Sequence, residues 1–375
     1  MADLNTAAQK GFEKSNLSPG LVPCQRDPLH VAVIVEDLRF PLDEGAKKTS
    51  FSLIRSFIKN GAEVSVFTSY ANPLLENVFP LPGNKFLFGS SFARNLRARA
   101  PDFILYIPAS SGTIGAFLRA AMIKAQSPDT NLALLNLQYR KLPVIARNLN
   151  LHRVVNIVFT QSQASTEIFR SLGCKTTLLS GGIDHTIFRP VSAQEKRLLR
   201  SKYGFHEAGQ IVLHVGHCNR NRNVTTLGRL VRSGLKVILI ASTSTVTDAD
   251  LLIGLRHSGV TVITDFIESI QHYYQMADCY VFPVFRAKSA IDAPLSVLEA
   301  MACNLPIVTT PFGALPGMFP SGNGLHYADT EEEIVQMVKQ AVLGQDCRTA
   351  EMVFPYSWDA VTSTILRTLQ EIHDA

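Results

Sequence analysis

Long apolar runs are missing from this chain of 375 residues. Hydrophobic residues make up 46% of it, yet no run approaches the length of about eighteen that a membrane-crossing helix needs. A soluble protein of about two domains is the expectation. The opening MADLNTAAQKGFEKSNLSPG has no apolar core segment, so no secretory leader is expected. Cysteine is sparse. Cys24, Cys174, Cys218, Cys279, Cys303 and Cys347 are scattered and form no CxxC pair. That argues against a disulfide frame or a zinc site and for reduced core thiols in a cytoplasmic protein. Without secretion, the sequons at Asn16 and Asn223 carry no weight. Tryptophan occurs once, at Trp358. No basic motif interleaved with aromatics is present, so no nucleic-acid partner is expected.

What is present is alternation. After a polar arm at 1–28, β-branched and apolar runs read as buried strands at 30–35, 63–68, 102–107, 131–137, 154–160 and 175–179. Between them lie amphipathic stretches such as 46–60, with its stripe of Phe51, Ile54, Phe57 and Ile58, closed by Gly61. A second series begins at 210–215 and continues through 236–241, 260–264, 279–283 and 307–310. Ser180–Pro190, SGGIDHTIFRP, is a turn between the two series. Two successive βαβ series predict an α/β protein built of doubly wound parallel sheets, which bind ligands at the carboxyl ends of their strands. Asp248-Ala249-Asp250 resembles a metal motif but precedes a helical stretch, and it reads as a charge pattern suited to a helix N-terminus.

The stretch AIDAPLSVLEAMACNLPIVTT, 290–310, carries the most information. Pro294 suits the start of a helix, and Asp292 just before it can accept hydrogen bonds from the free N–H groups of that first turn. Leu295, Leu298 and Met301 make a buried face. Glu299 sits on this apolar helix, where a carboxylate is costly unless paired. A bound polyol would pair it; so would a structural cation.

These residues resemble the nucleotide-sugar site of GT-B-fold glycosyltransferases, especially glycosyltransferase family 4. That family's motif is Glu, seven residues, a second Glu, then Ala-Met-Ala or similar. Glu299, Ala300, Met301 and Ala302 match its second half; the first Glu is replaced by Ile291, beside Asp292. Gly182, Ile183, Asp184, Phe188 and Pro190 match the family's hinge. Gly45 matches its glycine-bearing loop, with Lys47 and Lys48 placed to meet phosphate or solvent. In the turn Gly216–Arg222, the family's Gly-Arg becomes Gly216-His217 and its Lys becomes Arg222, with Arg220 as a second cation. Where relatives often carry a His after the fifth strand, this chain has Gln138.

The resemblance implies GT-B architecture: two Rossmann-like domains with parallel sheets facing a central cleft. It divides the chain into the arm 1–28, an acceptor domain 29–183, a linker 184–208, a nucleotide-sugar domain 209–355 and a helix 356–375 crossing back to the first domain. It implies a hexosyltransferase-type enzyme that moves a sugar from a nucleotide-diphosphate sugar to an acceptor hydroxyl with retention, needing no metal and no cofactor. Arg222, Glu299 and Asp292 would be catalytic, and Gly45, Gly216, His217, Arg220, Arg222, Leu295, Ser296 and Glu299 would bind the donor. Arg222, Arg220 and the N–H groups near Leu295 and Ser296 would meet the diphosphate, Glu299 the ribose and Asp292 the sugar. The acceptor would be a glycan, small molecule or lipid. Residues 1–180 hold 20 Lys/Arg against 12 Asp/Glu, and 181–375 hold 16 against 19. The basic first half suits an anionic acceptor, peripheral contact with a membrane surface, or a solvated helix surface. Ile291, His217 and Gln138 also fit a non-catalytic nucleotide-sugar or glycan-binding protein, and the architecture is shared by nucleotide-sugar epimerases.

Overall fold

The computed structural model describes residues 28–82, 89–109, 111–205, 209–244, 248–344 and 346–374. All but the last residue of the expected N-terminal arm lies outside them. The first strands are β1 (His30–Val35), β2 (Glu63–Thr68), β3 (Val78–Pro80), β4 (Phe103–Ile107), β5 (Asn131–Asn136), β6 (Ile157–Thr160) and β7 (Thr176–Leu178). They form one sheet in the order β3-β2-β1-β4-β5-β6-β7. The next are β8 (Ile211–Gly216), β9 (Lys236–Ala241), β10 (Thr261–Ile263), β11 (Cys279–Phe282), β12 (Ile307–Thr309) and β13 (Leu325–Tyr327), ordered β10-β9-β8-β11-β12-β13. Every pairing is parallel. The expected α/β class with two parallel sheets is therefore observed.

Helices cover both faces of each sheet, which explains why the central strands are apolar at every position and not at alternate ones. In β1, Val31 and Val33 point into a core with Leu53, Ile54 and Phe57, while Ala32 and Ile34 point into another with Phe92 and Phe117. Each buried Val, Ile, Leu or Phe contributes about 1.5–3 kcal/mol of transfer free energy. β3 and β13 escape sequence reading because neither is an apolar run: β3 (VFP) ends in proline and β13 (LHY) has a histidine at its centre. The Pro/Gly stretch after Thr310 holds a short helix, Leu315–Met318, which was not expected.

The crossover between the halves is packed around glycine. A Cβ on Gly181 would lie 2.7 Å from Leu298, and one on Gly182 would lie 2.4 Å from the Trp358 ring. The segment thus passes between the helix Leu295–Ala302 and the last helix, Trp358–His373. That last helix returns to the first sheet. Val361, Ile365 and Leu369 share a core with Leu53 and Phe57, and Ser56 donates to Asp359 at 2.9 Å.

Candidate functional site

A cavity of about 390 Å³ opens between the two sheets. Its walls come from the segments that follow β1, β4 and β5 on one side and β8, β9, β10 and β11 on the other. These are the carboxyl ends of parallel strands, next to the points where strand order reverses in each sheet, at β1/β4 and β8/β11.

Arg222 lies in the short turn Arg220–Arg222 after β8 and lines this cavity. It is only 8% exposed. No carboxylate pairs with it among the described residues, and its buried Nε has no hydrogen-bond partner. Burial pulls its pKa down to about 10, so it remains a cation at neutral pH. Phe282 lies beneath it, with Cζ 5.9 Å from the ring centroid. Gly216, with φ of +154°, keeps the space beside it open: a Cβ there would sit 3.4 Å from Nη1 of Arg222.

Glu299, 4% exposed, faces the cavity from the middle of Leu295–Ala302. Its carboxylate accepts from the Tyr274 hydroxyl at 2.8 Å and is ion-paired with Lys48 of the first half. Lys48 is on the first turn of Gly45–Lys59, three positions beyond Gly45. Gly45 is close-packed against Ile291: a Cβ would come within 3.0 Å of Cδ1. Leu295 and Ser296 also line the cavity, at the start of a helix whose N-cap, Pro294, supplies no side-chain hydrogen bond.

Two expected donor contacts are not brought to the cavity, and a third changes character. Arg220 is exposed and turned to Asp248, Nε to Oδ2 at 3.0 Å, outside the cavity wall. Neighbours two apart in so short a turn point to different sides. Asp292 does not cap the helix and does not line the cavity. It is 1% exposed, and its carboxylate accepts from the Tyr139 N–H at 2.6 Å, from Ser165 at 2.7 Å and from Ser162. Those partners belong to the first half, so Asp292 joins the halves. Burial raises its pKa, while the two serines and Tyr139 oppose the rise. His217 does line the cavity, but burial and then Arg222 push its pKa down to about 4. It is neutral at pH 7 and carries no charge for a phosphate.

Two residues at the cavity, Asp43 and Arg140, were not singled out from the sequence. Asp43 follows β1 and reaches across to Thr243, accepting from its Oγ1 at 2.7 Å, and to Ser244. Burial works to raise the Asp43 pKa, but these hydrogen bonds outweigh it and hold the carboxyl below its usual range. Gln138 uses its amide to donate to the carbonyls of Ala290, at 2.6 Å, and Lys288, at 2.9 Å. Arg140, two positions on, also lines the cavity. Its signal in the sequence is slight: one arginine after a buried strand. Asp248 caps Ala249–His257 by accepting from the Leu251 N–H at 3.0 Å, as its place before a helix predicts. Among the described residues no three His, Cys, Asp or Glu side chains group to hold a metal ion. No helix there is long and apolar enough to cross a membrane.

Comparison with known proteins agrees with the geometry. Residues 210–343 match the family model described as "Glycosyl transferases group 1". No curated protein sequence matches the chain at a significant level. Among solved structures, sucrose-phosphate synthase from Thermosynechococcus elongatus is similar at 15% identity, covering 92% of this chain and 99% of that one, with a TM-score of 0.70. Anabaena HepE in complex with UDP-glucose is similar at 17% identity, covering 92% and 100%, with a TM-score of 0.70. The catalytic domain of Arabidopsis thaliana starch synthase IV, bound to ADP and acarbose, is similar at 14% identity, covering 93% and 100%, with a TM-score of 0.68. Residues 210–343 are thus similar to a group 1 glycosyltransferase domain, set in a chain of GT-B fold.

Proposed function

We propose that this protein is a glycosyltransferase that moves a sugar from a nucleotide-diphosphate sugar to an acceptor hydroxyl, with retention of the anomeric configuration. The observation that carries the reading is the pairing of opposites in one cavity: a buried, unpaired Arg222 guanidinium and a buried Glu299 carboxylate. A nucleotide-diphosphate sugar has the matching ends, two phosphates for the cation and vicinal hydroxyls for the carboxylate. Negative charge builds on the leaving diphosphate as the glycosidic bond breaks. A cation fixed in a dry site, together with the N–H groups that begin Leu295–Ala302, stabilises that charge without reorganising. This assignment needs no metal ion. The carboxylate of Glu299 would exchange Lys48 for ribose hydroxyls when the donor enters.

In this reading the segment 209–355 holds the donor and 29–183 presents the acceptor. The contacts that span the halves, from Asp43, Gln138, Lys48 and Asp292, hold the cleft shut and exclude water from the donor. Asp292 is better read as part of this clasp than as a sugar ligand, because its carboxylate is already taken up. The test is release of nucleoside diphosphate from a set of nucleotide sugars, with and without an acceptor panel. Acceptor-dependent release supports the transferase. Ile291 and Gln138 stand where relatives carry a Glu and a His, and they favour one second reading, a nucleotide-sugar-binding protein without turnover. Tight binding with no release across the panel would establish that reading instead.

A further inference from the structure

We infer that the acceptor carries an anionic group of phosphate type, read by Arg140 with Lys288 opposite it. The inference rests on the transferase reading and names the acceptor chemistry of the same cavity. Arg140 follows β5, on the wall that the segments after β4 and β5 contribute. Its Nε is buried without a partner, and no carboxylate pairs with it among the described residues. A buried N–H left without an acceptor is costly, and Arg140 lines the cavity, which points to an anion that arrives with a ligand. Lys288 lines the same cavity from the segment after β11, also with no acidic partner among the described residues.

The backbone that carries Arg140 is fixed, which distinguishes it from a surface arginine that happens to lie near a cleft. The Asp292 N–H donates to the Leu137 carbonyl at 2.7 Å, and the Tyr139 N–H donates back to the Asp292 carboxylate at 2.6 Å. Gln138, between them, bonds the carbonyl of Lys288 itself. Four hydrogen bonds from three consecutive residues thus hold Arg140 and Lys288 in one frame.

Charge on this side of the cavity is of one sign. The segments after β4 and β5 contribute no acidic side chain to its lining. Between Asp129 and Glu167 the sequence has no Asp or Glu at all. Next to Arg140, exposed Lys141 adds a second positive charge, which raises the local concentration of an approaching anion. The acids that line the cavity, Asp43, Glu44, Asp265 and Glu299, come from other segments; Asp43 is engaged by Thr243 and Ser244, and Glu299 by Lys48.

The anion is distinct from the donor's diphosphate, and the test separates the two. Calorimetric binding of hexose 6-phosphates, and of the corresponding free hexoses, is measured on the wild type and Arg140→Ala in the presence of a nucleoside diphosphate. Flotation with phosphatidylcholine vesicles, with and without phosphatidylinositol, is measured on the same pair of proteins. The wild type should prefer the phosphorylated sugar over the free hexose, or the anionic phosphatidylinositol vesicle over the zwitterionic phosphatidylcholine one. Arg140→Ala should lose about tenfold or more of that preference, with nucleoside diphosphate affinity unchanged. Whichever arm responds identifies a soluble sugar phosphate or a lipid headgroup as the source. Equal binding of charged and neutral probes by the wild type would overturn the proposal. So would an Arg140→Ala protein that weakens nucleoside diphosphate binding as much as phosphate binding. Because these readouts need no turnover, an absence of nucleoside diphosphate release would count against the transferase reading alone.

Discussion

Replacing Arg222 by methionine should make the ligand-free protein more stable while removing its grip on a diphosphate. The guanidinium is 8% exposed, its Nε is orphaned, and burial depresses its pKa from the ordinary arginine value to about 10. At about 1.4 kcal/mol per unit, that depression corresponds to roughly 3 kcal/mol of desolvation borne by the folded state. The Phe282 ring, 5.9 Å away, returns about 0.5–1 kcal/mol. A net cost of about 2 kcal/mol remains, which methionine would relieve while filling similar space. The pH dependence has a definite sign. The folded state disfavours the proton, so the unfolded chain binds more protons in the window from the folded value near 10 up to the ordinary arginine value. The penalty is complete below pH 10 and is relieved as pH rises through that window.

At neutral pH the whole penalty applies, and the variant should melt about 4–8 °C higher at roughly 2–4 °C per kcal/mol. Thermal unfolding with and without a nucleoside diphosphate is the assay. A ligand at about a hundred times its Kd should stabilise the wild type by about 2.7 kcal/mol, and Arg222→Met should lose most of that gain. A variant that melts below the wild type would mean the guanidinium is held by favourable contacts. A variant that keeps the ligand-induced shift would remove the diphosphate from Arg222. Either result refutes the reasoning.

Three further outcomes follow from the geometry. Glu299→Gln keeps a partner for Tyr274 but strips the charge that pairs with Lys48; donor affinity measured by calorimetry should fall about tenfold or more, and unchanged affinity would remove Glu299 from the ribose. His217, with its pKa near 4, should stay neutral from pH 5 to 8, so its imidazole NMR signals should not titrate in that range; a midpoint near 6.5 would show that it is not buried as described. Gly182→Ala puts a methyl 2.4 Å from the Trp358 ring, and should cost about 1–3 kcal/mol with a change in the fluorescence of this single tryptophan; wild-type stability and emission would mean the last helix is docked elsewhere.

The sequence reveals the features whose causes are local. After their first residue β1 and β9 are uninterrupted apolar runs, and the helices before Gly61 and Gly173 end where glycine adopts φ of +83° and +81°. The candidate site is legible to the same extent. Arg222 and Glu299 each follow a strand that pattern alone locates, and the doubly wound arrangement requires both to reach the carboxyl edge of the second sheet. What pattern cannot supply is partnership across distance. Lys48 meets Glu299 over 251 positions, and Asp292 meets Ser162 over 130. Asp292 appears to the sequence as a helix cap beside a missing glutamate, because its real partners are far away along the chain. Arg220 and Arg222 are indistinguishable in a turn whose pitch is not known beforehand. One finds a carboxylate on the surface and the other is left bare in the cavity. The bare one is the more informative. A buried charge without a counter-charge is tolerated only where something outside the chain supplies it; Arg222 is such a charge, and across the same cavity the buried Nε of Arg140 is also left without a partner.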